Sequence, residues 1–419
     1  MTMQTTKPFL GMILKGYPRI SESFISNEIL LLEQQGIPIH IFSMRHPRES
    51  FSHKSVQKIK ARVDYLPQTI LEALPQLLFY NLLLAMKTPG AYLGALLVAF
   101  RRFLRTYKSA TIKHLLQAGY LVQKLLPESR VVHFHAHFAH SPSSVAMFAS
   151  QLSGIDFSFT GHAKDIYTSN PLQLKEKMAK ARFVVTCTEF NRRHLSTLAG
   201  NGNLSLYRMY HGIDLDLFSG GKARRNPTTP YHFVTVARLV PKKGLPTVYR
   251  ALKRLQHKGV DFQHTLIGDG DDRDKLLTLI RDLGLSGSCR WVGTLTHEKV
   301  LDYYRRSDLF ALGCEQAANG DQDGIPNVFV ECLAMGLPVV GTRLSAIPEL
   351  IEDGKTGLLV QPGNDGEMAN AMLRILTDTQ LREQIVQSGK ISVRRAFNNR
   401  NLIADLFSVY RKEVPELKL

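Results

Sequence analysis

Short runs of β-branched and aromatic residues recur along this chain, each followed by a longer stretch whose apolar positions have helical spacing. That alternation is the layout of parallel sheets with crossover helices. In the first half the strand-like runs are 9–14, 37–43, 131–136, 155–160, 182–187 and 205–210. In the second half they are 231–237, 262–268, 289–292, 308–312, 338–341 and 357–360. The repeated scheme predicts an α/β fold of two doubly wound domains facing each other. Between the halves, Ser219-Gly-Gly-Lys-Ala-Arg-Arg-Asn-Pro-Thr-Thr-Pro230 is polar, rich in Gly and Pro, and aperiodic, which is linker chemistry. The expected division is a first domain at 1–218, a linker at 219–230 and a second domain at 231–398, with the crevice between the domains as the place for a ligand.

Residues 66–126 break this rhythm. Ala73–Met86 and Thr88–Phe100 are long apolar segments of helical character, followed by Arg101, Arg102, Arg105 and Lys108. Neither uncharged run reaches the ~18–20 residues needed to cross a bilayer. The pattern fits a helical insertion lying in a membrane interface, with its basic residues toward anionic headgroups. Helices that merely cover an apolar face of the first domain would give a similar pattern.

Length supports two domains, because 419 residues exceed what one hydrophobic core usually serves. The net charge of +17 changes the picture more, because residues 1–218 hold 25 Lys and Arg against 13 Asp and Glu. A basic surface suits nucleic acid, anionic lipid or a phosphorylated substrate. The chain has no aromatic-interleaved basic motif or helix-turn-helix pattern, so nucleic acid is not the expected partner. Cys187, Cys289, Cys314 and Cys332 are far apart and show no ligand spacing, which points to a reducing compartment without structural zinc. The N-terminal apolar run ends in Lys15 and Gly16 without a cleavage site, so the chain reads as cytoplasmic, held peripherally at the inner face of the plasma membrane.

The stretch richest in chemistry runs from Asp323 through Gly-Ile-Pro-Asn-Val-Phe-Val to Glu331. Pro326 suits a first helical turn, which puts Asp323 in the preceding loop and frees the amides of Asn327 and Val328. Free amides at the positive end of a helix suit a diphosphate. Glu331, about a turn and a half in, can accept from ribose hydroxyls, and Asp323 can reach sugar hydroxyls beyond the phosphates. A helix with an acidic first turn would carry the same residues for its dipole alone. Arg238 and Lys243 follow the first strand of the second domain, where fixed cations can stabilise charge on a departing nucleotide diphosphate. A solvated basic loop is the plainer account of that run. Gly268 and Gly270 follow the next strand and would let backbone approach a nucleotide, a weak signal by itself. Gly16 follows the first strand of the first domain and could offer an amide to the phosphates.

His162 follows the run 155–160 and should project from that strand's end, with Asp165 close behind. His133, His135 and His137 alternate along one strand face, with His140 nearby. A metal cluster is conceivable there. However, no carboxylate lies close in sequence and period-2 neighbours sit ~6–7 Å apart. The expectation is therefore no metal, and a strand end at which His137, and on the same side Asp165, meet the acceptor.

Together these residues resemble the family 4 glycosyltransferases, retaining enzymes of the two-Rossmann GT-B fold, over nearly the whole chain. The markers are Arg238 with Lys243, Asp323 and Glu331 at the family's E-x7-E spacing, Tyr210-His-Gly-Ile-Asp214, Ile351-Glu-Asp-Gly-Lys-Thr-Gly-Leu-Leu-Val360, and His162. Pro18-Arg-Ile-Ser-Glu-Ser-Phe-Ile25 and His135-Ala-His-Phe-Ala-His140 are similar to patterns in the branch that builds bacterial exopolysaccharides such as colanic acid. The resemblance implies a nucleotide-diphosphate-sugar donor, UDP- or GDP-linked, a lipid-linked glycan acceptor, and no metal. It implies that Arg238 and Lys243 hold the diphosphate, Glu331 the ribose, and Asp323 the donor sugar's 3- and 4-hydroxyls. It also puts His162 near the 6-hydroxyl and the reacting carbon, and sends the last helix, at 399–419, back to the first domain. The chain departs from the family in having Asp323 where Glu is usual and a single Gly16 where many relatives have two.

Retention without a convincing nucleophile implies that the leaving phosphate takes the acceptor's proton on the same face of the sugar. Asp165 is the first-domain carboxylate that could instead form a covalent adduct. Two other readings stay open from sequence. One is a different enzyme on the same fold, an epimerase or a phosphorylase; the other is a non-catalytic basic protein that binds membrane.

Overall fold

The computed structural model describes residues 7–19, 22–47, 56–200, 202–218 and 226–419. Most of the expected linker, 219–225, lies outside them. The chain separates into two units. The first comprises Met1–Cys187, Asn191–Met209 and Ile403–Leu419, and the second Thr188–Phe190 and Tyr210–Leu402. The main division thus falls between Met209 and Tyr210, ahead of the 219–230 stretch.

The first unit is a seven-stranded parallel sheet of β1 (Phe9–Leu14), β2 (Ile39–Ser43), β3 (Arg62–Tyr65), β4 (Val131–His137), β5 (Phe157–Gly161), β6 (Phe183–Thr186) and β7 (Ser205–Arg208). Their order is β3-β2-β1-β4-β5-β6-β7. β1, β2 and β5 are buried on both faces, which is why they read as continuous apolar runs rather than alternating ones. β3 escaped the sequence reading because Arg62-Val-Asp-Tyr65 holds one aliphatic residue and sits at the sheet's edge, where one side needs no cover.

The second unit is a six-stranded parallel sheet of β8 (Tyr231–Val236), β9 (Phe262–Ile267), β10 (Cys289–Trp291), β11 (Leu309–Ala311), β12 (Val339–Thr342) and β13 (Leu358–Val360), in the order β10-β9-β8-β11-β12-β13. In both sheets the strand order reverses beside the first strand, between β1 and β4 and between β8 and β11. Open α/β sheets bind ligands outside the carboxyl ends of strands at such a point.

Helix α1 (Ser23–Gln34) follows β1, and the helical insertion is α2 (Ile70–Lys87), α3 (Pro89–Thr106) and α4 (Ala110–Tyr120). Pro89 opens α3, a position where its missing N–H costs nothing. α2 is 18 residues long, with Glu72 in its first turn and Lys87 in its last; by length and composition it could cross a membrane. The insertion buries one row against the unit, with Leu77, Leu84, Ala95 and Ala99. It leaves another row exposed, including Leu82 (63%), Met86 (64%), Leu93 (61%) and Phe100 (57%).

The basic residues after that run do not all face outward. The Arg102 side chain is almost fully buried, with Nε 2.8 Å from Glu176 and its guanidinium over Phe148. Arg105 shares Glu176 at 3.1 Å. Arg102 is therefore a packing residue, contrary to its expected place at headgroups, whereas Arg101 and Lys108 are exposed.

Candidate active site

In the second unit the catalytic candidates gather at the carboxyl ends of β8 and β11. The segment Pro241–Lys243 forms a short 3-10 turn after β8, and Gly244 leaves it at φ +55°. A Cβ on Gly244 would lie 1.7 Å from the carbonyl oxygen of Gly313, so the loops after β8 and β11 meet backbone to backbone. This contact places Lys242 and Lys243 beside the Asp321–Asp323 loop. Lys243 Nζ donates to Asp323 Oδ2 at 2.6 Å; Lys242 Nζ lies 2.9 Å from Asp321 Oδ1 and 3.2 Å from Asp323 Oδ1. The Cys314 thiol completes the surroundings of Asp323 at 3.8 Å.

The electrostatics follow from burial and pairing. Burial works against the Asp323 charge, but Lys243 and Lys242 outweigh it and hold the carboxyl below its usual range. Burial likewise opposes the Lys243 charge, and Asp323 holds that ammonium above the usual lysine range. Arg238 is exposed and makes no ion pair with a described residue. It is near enough to work against the charge on Lys243. The cluster thus neutralises its own lysines and leaves one guanidinium uncompensated. Lys242 and Asp321 were missed from the sequence, because nothing in a Lys-Lys pair says that both side chains turn inward.

The helix after this loop runs Asn327–Met335, and Pro326 is its N-cap with ψ 125° rather than its first helical residue. The amides of Asn327 and Val328 are therefore in the first turn, where a helix supplies no acceptor. On the same helix, Glu331 accepts from the Tyr304 hydroxyl at 3.2 Å and lies 3.6 Å from His297 Nε2. The Glu331 carboxylate raises the His297 pKa against the effect of burial. His297 is a third residue that sequence reasoning did not name.

Gly268 and Gly270 pack against the loop after β8. A Cβ on Gly268, at φ +128°, would lie 1.9 Å from the Ala237 carbonyl oxygen, and one on Gly270 2.4 Å from that of Leu239. Ala237 and Leu239 also donate to Ile267 and Asp269, each at 3.0 Å. These glycines make room for the loop that carries Arg238.

In the first unit Gly16 is buried in the loop after β1, and its space is taken by Arg19, whose Nε would lie 2.7 Å from an added Cβ. Lys15 is held below the usual lysine range by burial and then by the charges of Arg45, Arg19 and Lys164, with Glu22 opposing them. The loop is thus a concentration of cations that spacing alone did not reveal.

His162 follows β5 and is 8% exposed. Its ring meets Phe138 (centroids 4.6 Å), Phe24 (5.1 Å) and His137 (5.8 Å, stacked). Its main chain is held at both ends: the N–H donates to Asp165 Oδ1 at 3.0 Å, and the carbonyl accepts from Asn191 Nδ2 at 2.6 Å. Asp165 also accepts the Ala139 N–H at 2.5 Å, and the buried Lys177 ammonium donates to the carbonyls of Ala139 and His140 at 2.6 and 2.7 Å. Asp165 is 1% exposed, so its carboxylate is committed to positioning these loops rather than meeting an acceptor.

His137 is fully buried and supports His162 from beneath, which also replaces the expected acceptor contact. His133 and His135 are buried too, bonded to the Ser158 hydroxyl, with His135 Nε2 on Thr160. The carboxylate missing from the neighbouring sequence arrives from α1: Glu28 Oε1 lies 3.1 Å from His137 Nε2, and Glu28, His135 and His137 each bring a ligand atom within 4.8 Å of the others. Both ring nitrogens of His135 are already engaged by hydroxyls.

Comparison with known proteins bears on the fold and the family. Residues 222–392 match the model of the family described as glycosyl transferases group 1. The amylovoran biosynthesis glycosyltransferase AmsK of Erwinia amylovora is 36% identical over 169 residues, 40% of this chain and 42% of AmsK, so that match spans less than half of the relative. WcaL of Salmonella typhimurium, whose name assigns it to colanic acid biosynthesis, is 26% identical over 96% of this chain and 98% of its own. Among solved structures, HepE of Anabaena in complex with UDP and glucose superposes with a TM-score of 0.66 at 16% identity, covering 96% of this chain and 100% of HepE, a likeness of fold. The chain has the two doubly wound parallel sheets of the GT-B fold, and its residues 222–392, in the unit that holds the lysine–aspartate cluster, match a group 1 glycosyl transferase domain.

Proposed function

We propose that this chain is a retaining glycosyltransferase that moves a sugar from a UDP- or GDP-sugar to a lipid-linked acceptor in exopolysaccharide assembly, at the inner surface of the plasma membrane. The observation that carries the proposal is the buried Lys243–Asp323 pair, with Lys242 joining it, beside an unpaired Arg238 and the first turn of the Asn327–Met335 helix. A pair of lysines balanced by Asp321 and Asp323 is poised for exchange. A diphosphate arriving at Arg238 and at the amides of Asn327 and Val328 draws Lys243 to itself, and the freed Asp323 turns to the donor sugar's hydroxyls. Glu331, oriented by Tyr304, takes the ribose. These cations supply the charge stabilisation that a metal supplies elsewhere, so the reaction proceeds without one. The portion 231–398 binds the donor and the portion 1–218 the acceptor, with His162 near the reacting carbon and Gly16 toward the phosphates.

In the reaction the acceptor hydroxyl attacks the anomeric carbon on the face from which the diphosphate leaves. The carbon–oxygen bond to phosphate breaks with its electron pair staying on the diphosphate, and the hydroxyl proton passes to that oxygen. The occupation of Asp165 by two backbone N–H groups supports this route over a covalent adduct. The amylovoran and colanic acid names of the relatives, and the UDP bound in the HepE structure, support the substrate class. The exposed apolar rows of α2 and α3, with Arg101 and Lys108, support docking at an anionic membrane.

The test is product analysis. UDP- and GDP-sugars are incubated with the protein and membranes from cells assembling exopolysaccharide, and the new linkage is read by NMR. An α-linked donor should give an α-linked product in the presence of a chelator. A β-linked product, or dependence on added divalent metal, contradicts the proposal.

A further inference from the structure

The first unit contains a cavity of about 670 Å³ where the carboxyl ends of β2 and β3 meet the start of α2. Its volume lies within the ~300–1,000 Å³ typical of small-molecule sites. His46 and Tyr65 form one wall, stacked at 4.2 Å between ring centroids with 22° between planes. Gln68, Glu72, Gln76 and Tyr120 supply amide, carboxylate and phenol groups, and Gln76 Nε2 reaches the Tyr120 hydroxyl at 3.4 Å. No Lys or Arg is among the described lining residues.

This is chemistry for a saccharide. Flat ring faces attract the polarised C–H groups of a pyranose, and amides with a carboxylate bond its hydroxyls, while Glu72 repels a phosphate. The cavity is tied to the candidate site, because the Tyr65 hydroxyl donates to the carbonyl of Tyr17, next to Gly16, at 3.2 Å. It is tied equally to the apolar surface: the first turns of α2 line the cavity through Glu72 and Gln76, and the same helix continues with exposed Leu78, Leu82 and Met86.

We infer that the cavity between β2, β3 and α2 is the subsite for the saccharide of an amphiphilic acceptor whose hydrocarbon lies along the exposed rows of α2 and α3. The inference rests on the transferase reading for its purpose, but the site is testable without turnover. The full-length protein is photolabelled with decyl β-glucoside and decyl β-galactoside that carry a diazirine in the alkyl chain, and the labelled peptides are mapped. Label should fall between Leu78 and Phe100. Changing the exposed Glu72 and Gln76 together to Ala should cut it about tenfold, as expected for ~1.4 kcal/mol of lost binding, with the melting temperature unchanged. Diazirine-bearing decanol, which has no sugar, should label in a way the double variant does not alter. Glycoside labelling equal to that of decanol, undiminished in the double variant, or located elsewhere overturns the inference. Release of nucleoside diphosphate from UDP- and GDP-sugars is measured in parallel. If release is absent while labelling is intact, the transferase reading fails and the saccharide site stands; the reverse result removes the site alone.

Discussion

Lys242 and Lys243 are adjacent in sequence, yet the 3-10 turn at Pro241–Lys243 sends both ammonium groups inward, to Asp321 and to Asp323. Removing one partner of a buried pair leaves an unpaired charge, which costs roughly 3–5 kcal/mol, whereas an isosteric amide keeps some of the contacts. Asp323→Ala should therefore lower the melting temperature clearly. Asp323→Asn should lower it less while still reducing transfer by about 100-fold, the scale of losing a contact made in the transition state. Calorimetry and transfer rates on the two variants check this; equal loss of stability in both would deny the pairing.

Asp165 gives a pH prediction. Burial pushes its carboxyl up to about 6, against the lowering effect of its backbone hydrogen bonds. The folded chain then holds that proton to higher pH than the unfolded chain does. The associated stabilisation is present below the ordinary carboxyl value of ~4 and is lost as pH rises toward 6. Asp165→Asn should flatten the fall in melting temperature between those values; an unchanged slope assigns it to another group.

At the scale of elements, Gly268 and Gly270 show what a strand-glycine pattern conceals. The sequence places glycines after β9 correctly, but the neighbour that demands them is the Ala237–Leu239 loop, which is contiguous with β8 and distant in sequence. Gly268→Ala should destabilise the second unit by about 2 kcal/mol or more, from the left-handed φ and the clash together, and should weaken nucleotide binding through Arg238. Wild-type stability and binding in that variant would contradict the packing account.

The insertion was legible as helices because its apolar runs are long. Its faces were not legible, since Arg102 turns into the unit to meet Glu176 while Arg101, one residue away, stays outside. Leu82→Ser with Met86→Ser, both exposed, should change stability by less than about 1 kcal/mol. The pair should reduce flotation with vesicles of anionic lipid; undiminished flotation would place the membrane contact elsewhere.

For the whole molecule, the doubly wound sheets could be read from sequence, because strands buried on both faces write themselves as unbroken apolar runs. β3 could not, because an edge strand of Arg-Val-Asp-Tyr carries no such run. Asp323 and Glu331 could be singled out together because they share one loop and helix. Lys242, Asp321, His297 and Glu28 were missed because only tertiary packing gives them their partners. The inward positions of His137 and Asp165 were hidden for a similar reason: period and loop position set direction along a strand, not what covers its end.

The central claim is that Arg238 and the Lys242–Lys243–Asp323 cluster receive a nucleotide diphosphate. The most direct measurement is calorimetric titration of UDP, GDP and the corresponding nucleosides into the wild-type protein and the Lys243→Ala variant. The account predicts that one diphosphate binds at least about 100-fold more tightly than its nucleoside, and that most of this preference disappears in the variant. Equal binding of nucleoside and diphosphate, or a preference untouched by the substitution, would contradict it.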